Sequence, residues 1–161
     1  MLPAVFLKAL RLIYDRLVDS AVCWAITGSF NFALHGAPLQ PGDIDLQTDE
    51  AGAYALEEAL AEYVVRPVSY RESLEKGIRS HYGKLDVTGV PVEIMGAVQK
   101  RLPDGSWETP VDVERYRMFI AYGEMQVPVL DLAYEIQAYR ILGRREKAAM
   151  LEAWMQDINK I

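Results

Sequence analysis

In Asp43-Ile44-Asp45-Leu46-Gln47-Thr48 polar and apolar residues alternate strictly, which predicts a strand with one face buried. Side chains two apart on a strand leave from the same face, so Asp43 and Asp45 stand together while Ile44 and Leu46 turn into the core. Two carboxylates held that close repel each other and resist desolvation. A hard divalent cation with oxygen ligands is the simplest compensation. A third acid, Glu93, lies in the apolar run Val90-Pro91-Val92-Glu93-Ile94-Met95, and Asp86 in Leu85-Asp86-Val87 competes for the same role. Brought to one face, three such acids can hold two Mg²⁺ ions that orient a nucleophile and the phosphates of a nucleotide.

Upstream, Gly28-Ser29 ends an apolar run and precedes a short helical segment. Exposed backbone N–H groups and a hydroxyl at such a turn can grip a triphosphate, and glycine permits its close approach. No Gly-rich loop ending in Lys-Ser/Thr and no three-glycine dinucleotide fingerprint is present, so phosphate binding rests on these two residues together with the acids. Arg140 and Arg144 are candidates to approach the phosphates from the C-terminal region. Helix-end arginines also suit the helix dipole or an ordinary solvated face. His35 reads as a helix-end residue, and Trp107, in a polar loop, stands either near an acceptor or as an anchor for its own segment.

The elements that must position these residues follow from periodicity. Residues 4–18 place Val5, Phe6, Ala9, Leu10, Ile13 and Leu17 at helical spacing. The run 22–27 predicts a buried strand, 30–34 a brief helix closed by His35-Gly36, and Asp49 or Glu50 the start of a helix carrying Tyr54, Leu56, Leu60 and Tyr63. A strand around Val64-Val65 is followed by a short helix or loop at 73–77. Strands 79–87 and 90–95 are expected to form a hairpin through Thr88-Gly89, and 117–121 and 124–127 a second one through Tyr122-Gly123. Residues 102–110 read as loop, and two packed helices after Pro128, separated at Gly143, complete the chain.

Composition sets the limits. At 161 residues, 51% hydrophobic, the chain is expected to form one domain over 1–161, with a core over about 20–128 and C-terminal helices over about 129–160. A formal charge of -6 disfavours a polyanion gripped over a large surface, though a local patch of Arg140, Arg144, Arg145 and Lys147 could face a phosphate. One cysteine, Cys23, and two histidines exclude an internal disulfide and a Cys/His zinc site. With neither a signal-like apolar stretch nor a run long enough to span a bilayer, a cytoplasmic location without membrane contact is expected. The apolar helices at both ends are compatible with a homodimer or a protein partner.

Ile26-Thr27-Gly28-Ser29, continuing through Asn31, Ala33, His35 and Gly36 to Asp43-Ile44-Asp45-Leu46, resembles the signature of the nucleotidyltransferase superfamily related to DNA polymerase beta, with Glu93 in the place of its later third acid. The layout looks like its small members, among them antibiotic nucleotidyltransferases and toxins of abortive-infection type systems. The resemblance implies an α+β fold, a mixed sheet flanked by helices with a C-terminal helical hairpin. It also implies Asp43, Asp45 and Glu93 as metal ligands and catalytic residues, Gly28 and Ser29 at the nucleotide, and two Mg²⁺ ions in the active complex. The reaction implied is attack of an acceptor hydroxyl on the α-phosphorus of a nucleoside triphosphate such as ATP, with pyrophosphate leaving. The acceptor stays open between a small molecule, a protein side chain and a tRNA end. A catalytically degenerate binding or regulatory protein, such as a toxin–antitoxin component, is the alternative.

Overall fold

The structure, a computed structural model, describes residues 2–159. It begins with helix α1 (Ala4–Leu17), whose Phe6, Ala9, Leu10, Ile13 and Leu17 form the buried stripe expected from their spacing. Strand β1 (Trp24–Thr27) and helix α2 (Ser29–Leu34) meet at Gly28. Then come β2 (Ile44–Thr48) and α3 (Glu50–Ala59), the latter capped by the Asp49 side chain accepting from Gly52 N–H at 2.6 Å.

Strands β3 (Val64–Ser73), β4 (Ile78–Val87) and β5 (Val90–Lys100) form an antiparallel run. At the β4–β5 hairpin Thr88 and Gly89 both take positive φ, 51° and 92°, as a tight turn matched to strand twist requires. The sheet here is more extensive than alternation indicates. β3 runs on to Ser73 at an exposed edge, and β5 continues past Met95 through Ala97, which has a φ of 53°. Pairing with β4 shifts register there, so local alternation breaks down and the extension escapes a pattern reading. A short helix not anticipated from sequence, α4 (Val113–Tyr116), precedes the hairpin β6 (Arg117–Tyr122) and β7 (Met125–Leu130). Helices α5 (Leu132–Ile141) and α6 (Arg145–Asn159) pack on each other as expected.

The seven strands form one mixed sheet in the order β3-β4-β5-β2-β1-β7-β6. β2 lies centrally, antiparallel to β1 and parallel to β5. Trp24, Ile26, Ile44, Leu46, Val92, Ile94, Leu85 and Val87 point to one face and share a core with α1 and α3. On the opposite face Ala25 and Leu130 pack with Val113 and Tyr134, so α5 covers that side. Helix α2 joins the two layers: Phe30 reaches Phe6 of α1, ring centres 5.7 Å apart, while Phe32 packs on Tyr139 and Trp154 of α5 and α6. Phe30 and Phe32 thus anchor the turn at Gly28 to both cores.

Candidate active site

The parallel pairing of β2 with β5 sets Asp45 directly opposite Glu93, and the antiparallel pairing of β2 with β1 sets Asp45 opposite Thr27. Cross-strand partners share a face. The row therefore runs Thr27, Asp45, Glu93 across three strands, on the face opposite the α1–α3 core. Asp43 immediately precedes β2, and ligand atoms of Asp43, Asp45 and Glu93 all lie within 4.8 Å of one another. Asp86 is elsewhere: its Oδ1 accepts from Gly89 N–H, 2.8 Å, in the β4–β5 turn.

Burial is the largest influence on Asp45 and, with the charges of Asp43 and Glu93, pushes its carboxyl up to about 9. Burial and Glu93 raise Asp43 as well, offset by Lys147 and Lys84. Asp45 Oδ1 is sealed from solvent without a hydrogen-bond partner. Three converging carboxylates, one with an orphaned buried oxygen, form a hard-oxygen donor set that fits a divalent cation. The Tyr82 hydroxyl donates to Glu93 Oε1 at 2.5 Å and fixes that carboxylate from the side of β4.

Gly28 faces the cluster. Its φ is 76°, in the region that favours glycine, and a Cβ built there would stand 2.7 Å from Asp45 Oδ2. The turn is held from behind by Glu135 of α5, a fully sequestered carboxylate that accepts from Thr27 Oγ1, from Gly28 N–H at 2.8 Å and from Asn31 Nδ2. Burial raises Glu135 to about 7, against the lowering effect of those donors. Gly28 N–H is thus already engaged within the protein, and Ser29 opens α2 beside it.

The sequence candidates divide. Asp43, Asp45, Glu93 and the Gly28–Ser29 turn are brought together. Arg140 pairs with Glu152 and donates to Gln137, and the Arg144 guanidinium sits over the Tyr139 ring, 5.9 Å from its centre. Lys147 of α6 instead carries the cation whose charge acts on Asp43, Asp45 and Glu135, while its ammonium, held down chiefly by burial, rests 4.7 Å from the Tyr139 ring centre. Glu135 was legible in principle, since an acid on a helix stripe otherwise made of Leu132, Ile136 and Tyr139 is an anomaly. Lys147 belonged to the basic patch expected to face a phosphate, but nothing in that charged run set it apart from Arg140, Arg144 and Arg145.

Residues 9–152 match the profile of the family described as Aminoglycoside-2''-adenylyltransferase. Among solved structures, a "putative nucleotidyltransferase" from Thermotoga maritima is 47% identical over 98% of this chain and 96% of its own, with a TM-score of 0.84. The lincosamide antibiotic adenylyltransferase LnuA, bound to lincomycin, is 14% identical over 81% of this chain and 83% of its own, with a TM-score of 0.52, a likeness of fold. No curated protein sequence matches.

Proposed function

Since this chain belongs to the aminoglycoside-2''-adenylyltransferase family, and with it to the nucleotidyltransferases, we propose that it moves a nucleoside monophosphate from an NTP to an acceptor hydroxyl at the Asp43–Asp45–Glu93 cluster. The convergence of these three carboxylates beside the Gly28 turn carries the reading, and it disfavours a degenerate binding protein. The family name supports ATP as donor. Asp43, Asp45 and Glu93 would hold Mg²⁺, which when bound acidifies the acceptor hydroxyl and neutralises charge growing on the phosphoryl oxygens.

The chain's own groups do the rest by positioning. Gly28 gives the triphosphate room that any side chain would fill. Ser29, at the start of α2, offers its N–H and hydroxyl to the phosphates, because Gly28 N–H is committed to Glu135. Lys147 approaches the same charges from α6. The acceptor oxygen attacks the α-phosphorus, the α–β bridge bond breaks with pyrophosphate leaving opposite, and the hydroxyl proton passes to a nearby carboxylate. Glu93, hydrogen-bonded to Tyr82, would accept it.

Calorimetric titration of Mg²⁺-ATP into the wild type and an Asp43→Asn/Asp45→Asn double variant tests the reading. Metal-dependent binding that the variant weakens is expected. A folded wild type that binds none of the four nucleoside triphosphates overturns it.

A further inference from the structure

The row that carries Asp45 and Glu93 does not stop at the acids. Glu93 pairs with Lys84 on β4, and Lys84 with Arg66 on β3, so two cations follow the third acid across the same face. At sheet spacing Arg66 lies about 10 Å from Glu93, backbone to backbone. Both are exposed, and among the described residues neither takes part in an ion pair. Like charges directly opposite on neighbouring strands destabilise a sheet. Lys84 already faces Glu93 and acts on Asp43, so Arg66 is the cation with no acid opposite it, and in a chain with six more acids than bases its place beside a reaction centre points to an anion from outside.

The order of strands says which anion. The Gly28–Ser29 turn and Lys147 approach the acids from the β1 side, whereas Lys84 and Arg66 lie beyond β5 on the other. In an in-line displacement the leaving pyrophosphate and the attacking oxygen occupy opposite sides of the α-phosphorus. With the triphosphate on the β1 side, the cations stand on the acceptor's side. Tyr82, next along β4 on that face and hydrogen-bonded to Glu93, borders the same approach.

We infer that the acceptor is a small hydroxyl compound bearing a phosphate or carboxylate group, which Lys84 and Arg66 bind while its hydroxyl meets the acid cluster. The inference rests on the nucleotidyl-transfer reading. A polycationic aminoglycoside is repelled by this arrangement, so within a family named for such acceptors these two positions would mark a different specificity.

The test uses the whole protein saturated with Mg²⁺ and a non-hydrolysable ATP analogue, titrated with glycerol phosphate, glycerol or tobramycin as anionic, neutral and cationic hydroxyl probes. Glycerol phosphate is expected to bind best, and a Lys84→Ala/Arg66→Ala variant to weaken it about tenfold with unchanged affinity for the analogue. Both positions are exposed, and a thermal midpoint no lower than that of the wild type confirms that the variant is folded. Tobramycin binding more tightly than glycerol phosphate overturns the inference, as does unchanged glycerol phosphate affinity in the variant. Equal loss of the analogue in the variant assigns the cations to the triphosphate and overturns the inference alone. Tighter binding of a short RNA than of glycerol phosphate replaces the small acceptor with a nucleic acid. Failure of the wild type to bind the analogue at all removes the nucleotidyl-transfer reading as well.

Discussion

Along β2, Ile44 and Leu46 are fully buried in the core shared with α1 and α3, while Asp45 and Gln47, pointing to the other face, hold sealed oxygens with no protein partner. One strand thus serves two opposed ends. On the apolar face each side chain meets carbon and contributes stability. On the polar face burial raises Asp45 and leaves its Oδ1 wanting a ligand, so the fold tolerates a local cost where chemistry is expected. The flanking helices repeat the division: α3 closes on β5 where Gly96 leaves no room for a Cβ, 2.7 Å from both Ala53 Cβ and Asp49 O, whereas α5 presents a carboxylate to the β1 turn.

Substitutions on the two faces should separate accordingly. Asp45→Asn is expected to lower turnover about a thousandfold, the loss of one ligand's share in stabilising the transition state, with no loss of stability without metal. Steady-state rates beside thermal melts in chelator check this, and near-wild-type turnover would break the comparison. One residue on, Leu46→Ala should cost about 3 kcal/mol of stability and leave kcat per folded molecule unchanged, as denaturant titration and active-site counting will show. Lys147→Ala should raise KM for nucleotide about tenfold with little effect on stability, measured by initial rates against ATP.

The smallest effect is a pH dependence. Glu135 is raised by burial from its usual 4.5 to about 7 in the folded chain, so the folded state keeps this proton where the unfolded chain has released it. Its contribution is fully present below about pH 4.5 and is lost as pH rises through about 7. Denaturation midpoints should therefore fall across that interval, and Glu135→Gln should flatten the slope. An equal slope in both proteins would assign the dependence to other groups.

Local pattern carried much of this. The alternation at 43–48, the helical stripe of α1 and the turn signals at Thr88-Gly89 and Tyr122-Gly123 depend on neighbours in sequence, so they could be read without coordinates. The extension of β5 past Met95 could not, because the register shift near Ala97 erases alternation.

By itself, then, the sequence determined that Asp43 and Asp45 share a face, that Gly28 precedes a helix and that the chain carries a nucleotidyltransferase signature. Only the tertiary structure brought Glu93 and not Asp86 beside Asp43 and Asp45, through the register of β2 on β5, put Glu135 behind the turn, and set Lys147 near the acids while Arg140 pairs with Glu152. Strand register and helix docking are settled by packing between distant segments, and each of those acids and bases looks locally like any other charged residue on an amphipathic element.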